Sequence, residues 1–273
     1  MSYDAKKILE GAPNARDLGG IETADGRVLR YGRLIRSGAI DKITERDAAY
    51  LKDIGLNKVV DFRTARERFE RPDRVLDGVD YILCPLFEFK TEGITREKPL
   101  TEDEDALQSI AMAKRFIAAG DLDGRARMCS LYPMIMRTEH ALSHMREFFD
   151  VLLRHGEGAL LYHCTMGKDR VGTATAVVLS ALGVPRETIT ADYMLTRVRC
   201  AEGTKRLIEN CRRFCDDEAV LEYIYCLDIV EPEFIGSVYD TIDTVYGGTD
   251  RFLRKVMQLD DAKLGRLKEL YLE

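Results

Sequence analysis

No stretch of this sequence approaches the about eighteen uninterrupted apolar residues that would suggest a membrane-spanning helix. The opening MSYDAKKILEGAPN also lacks the apolar run that follows the positive charges of a secretory leader. Positive charge is not in excess. With a formal net charge of −6, general nucleic-acid binding and electrostatic docking on anionic lipid are both disfavoured, so any anion site must be locally positive. Cysteine is sparse too. Seven residues, an odd number spread over 273, do not make the disulfide framework of a small secreted domain. A cytoplasmic protein in a reducing compartment is expected.

Metal-ligand patterns are also missing. Cys211 and Cys215 stand one helical turn apart near Cys200, but without a paired C-x2-C or a nearby histidine they read as small core residues. The acidic run Glu102 to Asp105 lacks the glycine and terminal glutamate of a calcium loop. Neither a metal nor a cofactor is expected. No internal repeat or low-complexity linker divides the chain, so residues 1–273 are expected to form one domain.

What is present is an alternation of short strand and helix patterns, with 45% hydrophobic residues for a core. NARDLGG at 14–20 is turn-rich, and short strands are expected from there to Ser37. Thr44 caps a helix carrying Ala48, Leu51 and Ile54 and stopped by Gly55. NKVVDF and VDYILCPL read as strands on either side of the charged RTARERFERPDR. Between Glu88 and Asp105, ten of eighteen residues are charged and no core periodicity is visible, which marks a surface loop or lid excursion extending to about residue 135. A helix is expected over 137–154, with Ala141, Met145, Phe148, Phe149 and Leu152 on one face. GALLYH then makes a strand. TATAVVLSALGVP follows as a buried helix, and Phe234, Val238, Ile242 and Val245 give a later one that starts at Pro232.

The informative stretch is HCTMGKDRVG, residues 163–172, lying between that strand and that buried helix. A strand, a short loop and a helix aim backbone N–H groups and the positive end of the helix dipole at one point, which suits a phosphate. A nucleotide-type loop would need a hydroxyl after the lysine for magnesium, but Lys168 is followed by Asp169 and Arg170. The spacing is instead C-x5-R. Loop N–H donors favour the thiolate of Cys164, which can attack phosphorus. Arg170 offers a planar fork for phosphate oxygens and Lys168 a point charge, while Gly167 lets the loop close, with Thr165 and Met166 completing it. His163 either holds the loop or tunes the thiolate.

HCTMGKDRVG resembles the HCxxGKDR active-site signature of the bacterial and fungal tyrosine-phosphatase-like enzymes, in the branch with protein and phosphoinositide specificity. NARDLGG, the RSG at 36–38, VVDFRTARER at 59–68, ADYMLTR at 191–197 and the segment from Glu231 to Leu253 are similar to further signatures of that family in the same order. The resemblance implies an α/β phosphatase fold, a central and mostly parallel sheet flanked by helices with the phosphate loop at the carboxyl end of a central strand. It implies hydrolysis of a phosphoprotein or phosphoinositide substrate through a cysteinyl-phosphate. It favours Asp169 as the proton donor to the leaving group; Asp61 is the second candidate, or else a buried partner of Arg63. At position 171 the chain departs from the family: Val171 stands where a Thr or Ser hydroxyl usually stabilises the departing thiolate, so slow breakdown of the phosphoenzyme is expected unless Thr173 or Thr165 substitutes. The competing readings are a catalytically silent phospho-ligand binder and a rhodanese-like sulfur-transfer enzyme. The Asp169-Arg170 pair and the flanking signatures do not favour the latter.

Overall fold

The structure, a computed structural model, describes residues 8–95 and 101–273. Residues 1–7, which include most of the opening segment, and residues 96–100, within the charged 88–105 stretch, lie outside the described residues.

Five strands, β1 (Arg16–Asp17), β2 (Leu34–Ser37), β3 (Leu56–Asp61), β4 (Asp80–Leu83) and β5 (Ala159–His163), form one sheet in the order β1-β2-β5-β3-β4. Only β1 runs antiparallel to its neighbour; the other pairings are parallel. The fold is therefore α/β with a mostly parallel sheet, as expected. β5 is central, and its register sets Ser37, His163 and Asp61 side by side at the carboxyl edge. Side chains alternate between two layers, with Leu34, Val60, Leu160 and Tyr162 in the larger core and Ile35, Val59, Ala159 and Leu161 in the smaller. Burial on both faces is why the inner strands read as continuous apolar runs.

The helices before β5 are α1 (Glu45–Asp53), α2 (Ala65–Glu70), α3 (Glu102–Ala118), α4 (Gly124–Arg137) and α5 (Glu139–Arg154). After it come α6 (Asp169–Leu182), α7 (Arg186–Arg212), α8 (Glu218–Asp228) and α9 (Pro232–Tyr246), then a short turn α10 (Thr249–Arg251), a π-helical turn at Phe252–Val256 and α11 (Asp261–Tyr271). Their ends follow local chemistry. Thr44 with Asp47, and Thr64 with Glu67, form reciprocal capping boxes that start α1 and α2, while Gly183 ends α6 in the left-handed conformation. Within α9, Phe234, Val238 and Ile242 are buried as their spacing predicts, but Val245, in the last turn before Gly247, is 49% exposed.

The stretch that shows no core pattern ends where α3 begins. Glu102 to Asp105 form the first turn of that helix, where negative charge complements the dipole, and Asp103 pairs with Arg213 at 2.6 Å. From Ala106 onward, α3 and α4 bury Ile110, Ala113, Met128, Leu131, Tyr132, Ile135 and Met136 in the main core. Among the described residues, no helix is long and apolar enough to cross a membrane. All seven cysteines are thiols.

Candidate active site

Residues 164–168 connect β5 to α6, so the loop leads directly into the helix N-terminus, an arrangement whose backbone N–H groups and dipole suit an anion. The loop is held from behind. Gly167 has φ +66°, and a Cβ there would lie 2.5 Å from the carbonyl carbon of Ser37, so this position requires glycine on both counts. The Gly167 carbonyl accepts hydrogen bonds from Asn14 Nδ2 at 2.7 Å and Arg36 Nη2 at 3.0 Å, and the Thr165 carbonyl accepts one from Ala39 N at 3.1 Å. Asp192 pairs with Arg16 at 2.8 Å and Arg36 at 2.7 Å. Burial would push its carboxyl up, but the two guanidinium groups outweigh that and hold it down. The NARDLGG, RSG and ADYMLTR segments thus meet at one buried ion-paired buttress.

Arg170 is the second residue of α6 and lies fully inside. Both terminal nitrogens donate to Glu67 of α2, Nη1 at 2.6 Å and Nη2 at 2.7 Å, so the fork that the spacing offers to phosphate is occupied by a carboxylate. Thr165 Oγ1 also donates to Glu67, at 2.6 Å. Burial pushes Glu67 up, but the Arg170 guanidinium and these hydrogen bonds bring it down to about 2. What remains is Arg170 Nε, buried and without a hydrogen-bond partner among the described residues. A buried cationic N–H that bonds nothing carries a desolvation penalty that an anion in the loop would remove. Cys164 stands at the other end of the same loop, 2% exposed.

The two candidate aspartates have different surroundings. Asp169, in the first turn of α6, accepts a hydrogen bond from the Tyr132 hydroxyl at 2.6 Å, and its Oδ2 lies 3.6 Å from Lys168 Nζ. Asp61 is clasped by Arg63, whose Nη2 reaches Asp61 Oδ2 at 2.8 Å and Asp73 Oδ1 at 2.8 Å. This is the arginine-partner arrangement that the sequence offers as the alternative for Asp61. His163 completes the cluster, with Nε2 at 3.1 Å from Asp73 Oδ2. The ligand atoms of Asp61, Asp73 and His163 lie within 4.8 Å of one another, yet the Arg63 guanidinium already supplies the cation that a metal would bring.

Burial alone would push His163 down, but the Asp61 and Asp73 carboxylates outweigh it and raise the imidazole above its ordinary value of 6.5. A raised basic group contributes stability that is complete below pH 6.5 and is lost as pH rises through the folded value. Thermal unfolding should therefore show a fall in stability above pH 6.5 that is shallower in Asp73→Asn, the variant losing more at pH 6 than at pH 9. Equal losses at the two pH values would show that His163 is not the charged partner.

The structure brings Cys164, Thr165, Gly167, Asp169 and Arg170 together and leaves Met166 half-buried at the rim. Lys168 does not face the loop interior. Its Nζ donates to the carbonyls of Leu227 at 2.8 Å and Asp228 at 3.1 Å, neutralising the negative end of α8. Val171 is wholly buried in the apolar core. The Thr165 proton is committed to Glu67, whereas Thr173 Oγ1 is buried without a partner among the described residues. Sequence reasoning missed Glu67, Asp73 and Tyr132. For Glu67 a signal existed, since Thr64-x-x-Glu67 has the capping-box spacing that starts a helix in the charged segment.

Comparison with known proteins agrees with this geometry. The model of a family described as the tyrosine phosphatase family matches residues 7–273. The chain is 28% identical over 292 aligned positions to the triple specificity protein phosphatase PtpB of Mycobacterium tuberculosis, covering 98% of this chain and 99% of that one. It is 29% identical over 253 residues, 92% of this chain and 84% of the relative, to a Cupriavidus necator protein provisionally named a tyrosine-protein phosphatase.

Proposed function

This chain belongs to the tyrosine phosphatase family and is a phosphatase, and from that premise we propose that it cleaves phosphate monoesters by way of a phosphate held covalently on Cys164. The observation that carries this reading is the unbonded, buried Nε of Arg170 at the loop that begins with Cys164. A tetrahedral dianion satisfies that donor together with the loop N–H groups, and the arginine terminal nitrogens stay on Glu67. In the first step the Cys164 thiolate attacks phosphorus as the ester oxygen departs with a proton from Asp169. Water then displaces the thiolate. Asp61, tied to Arg63, supports the loop through His163 in this assignment. Phosphotyrosine is the leading substrate. The name of the mycobacterial relative and the resemblance in the loop extend the proposal to phosphoserine, phosphothreonine and phosphoinositide monoesters.

The test is rapid-quench trapping of labelled phosphate on the Cys164 peptide during hydrolysis of an aryl phosphate in EDTA. A labelled peptide supports the reading. Phosphate release with no covalent label, or none at all until a metal is added, would reject it. The apolar Val171 adds an expected result: Val171→Thr places a hydroxyl next to the loop arginine and should speed breakdown of the trapped species by about tenfold, the effect of one added hydrogen bond to a charged group. Unchanged decay in the variant would show that the absent hydroxyl does not limit turnover.

A further inference from the structure

Tyr132 lies on α4 and Tyr193 on α7, and each reaches Asp169 through its hydroxyl, directly or in relay. Tyr132 donates to Asp169 Oδ1 at 2.6 Å, and the Tyr193 hydroxyl oxygen lies 2.5 Å from that of Tyr132. A phenol has one hydrogen to give. Since Tyr132 gives its hydrogen to the carboxylate, Tyr193 is the donor in the second bond, and the chain runs in one direction from Tyr193 through Tyr132 to Asp169. Burial first, and then the Asp169 carboxylate, push the Tyr132 phenol well above its ordinary range, so it stays a donor at any working pH. The pair is seated by packing. The Tyr132 ring lies 6.3 Å from Tyr193 at 89° and 5.9 Å from Phe234, and a Cβ on Gly172 would come within 2.8 Å of the Tyr193 ring. Glycine one turn after Asp169 is what gives Tyr193 its place.

We infer that Tyr132, backed by Tyr193, is the positioning residue of the proton donor: it fixes Oδ1 of Asp169 and leaves Oδ2 to deliver the proton. This rests on the assignment of Asp169 proposed above. As the sulfur–phosphorus bond forms and the ester phosphorus–oxygen bond breaks, the Oδ2 proton passes to the departing oxygen and Asp169 becomes a carboxylate. The hydrogen bond from Tyr132 strengthens as that charge appears, so it favours the transition state over the ground state. Tyr132 lies inside the 88–135 segment, which gives α4 a part in the chemistry.

The experiment compares an alkyl phosphate, a poor leaving group, with p-nitrophenyl phosphate, whose anion leaves with little help. Tyr132→Phe should lower kcat/KM about tenfold on the alkyl ester and by a clearly smaller factor on the nitrophenyl ester. In an Asp169→Asn background, the same change should add no further loss on either substrate. Tyr193→Phe, which removes only the outer hydroxyl, should show the same selectivity at smaller amplitude. Equal losses on both substrates, or losses that multiply in the Asn background, would overturn the role of Tyr132 while leaving Asp169 as the acid. If Asp169→Asn itself slows both substrates alike, the acid assignment fails and this inference fails with it.

Discussion

Cys164→Ser should abolish phosphate release, by at least ~10⁴-fold, while vanadate still binds within a few-fold of the wild-type affinity. The separation of the two effects is the point of the experiment. The groups that hold the loop in place, Asn14, Arg36, Ala39 and Glu67, bond Gly167, Thr165 and Arg170, and none of these contacts is with the thiol. A serine hydroxyl is close in size to the thiol, so the cradle should persist while the nucleophile is lost. Phosphate release and calorimetric titration with vanadate measure the two sides. A variant retaining a sizeable fraction of the wild-type rate would mean that the reaction does not pass through sulfur.

Arg170→Lys should be nearly as damaging, with a loss of ~10³-fold or more in kcat/KM, because a cation that clamps a transferring phosphoryl group is worth that much. A lysine carries the same charge but one nitrogen. It cannot bond both oxygens of Glu67, as Nη1 and Nη2 do at 2.6 and 2.7 Å, and still offer a third donor to the loop. Glu67 would be left buried and under-paired, which typically costs ~3–5 kcal/mol. The variant should therefore melt at a lower temperature as well as turn over slowly. Glu67→Gln tests the same bond from the other side, retaining a hydrogen-bonding partner for Arg170 but no charge. Activity of Arg170→Lys within a few-fold of wild type would remove the guanidinium from the mechanism.

The sequence made the scaffold of the site easier to read than its wiring. The strand before Cys164, the glycine in the loop and the helix after Arg170 all lie within residues 159–182, and local pattern finds such features. Glu67, Asp73 and Tyr132 stand 103, 90 and 37 positions away from Arg170, His163 and Asp169, and only the parallel crossovers of the sheet bring them close. Charge is ambiguous in the same way. RTARERFERPDR is charged at eight of its twelve positions, which hides any buried role, yet Arg63 and Glu67 point inward and bind buried partners. Lys168 is ambiguous in the other direction. Its place in the loop suggests a phosphate contact, whereas its flexible stem carries the ammonium to the end of α8. The α3 and α4 helices were obscured because their charged approach hides the point at which the apolar stripe begins.

The buttress behind the loop also ties catalysis to the order of folding. Asn14 reaches Gly167 across 153 positions of sequence and Arg36 reaches it across 131, so the loop has no local means of holding its shape. Closing such long spans costs chain entropy that is recovered only when distant strands have paired. The loop geometry proposed to hold an anion therefore depends on the native sheet, and an oxyanion bound there would draw the whole population toward the folded form by mass action. On the proposed function, its occupancy would report on every segment of the molecule that meets behind Gly167.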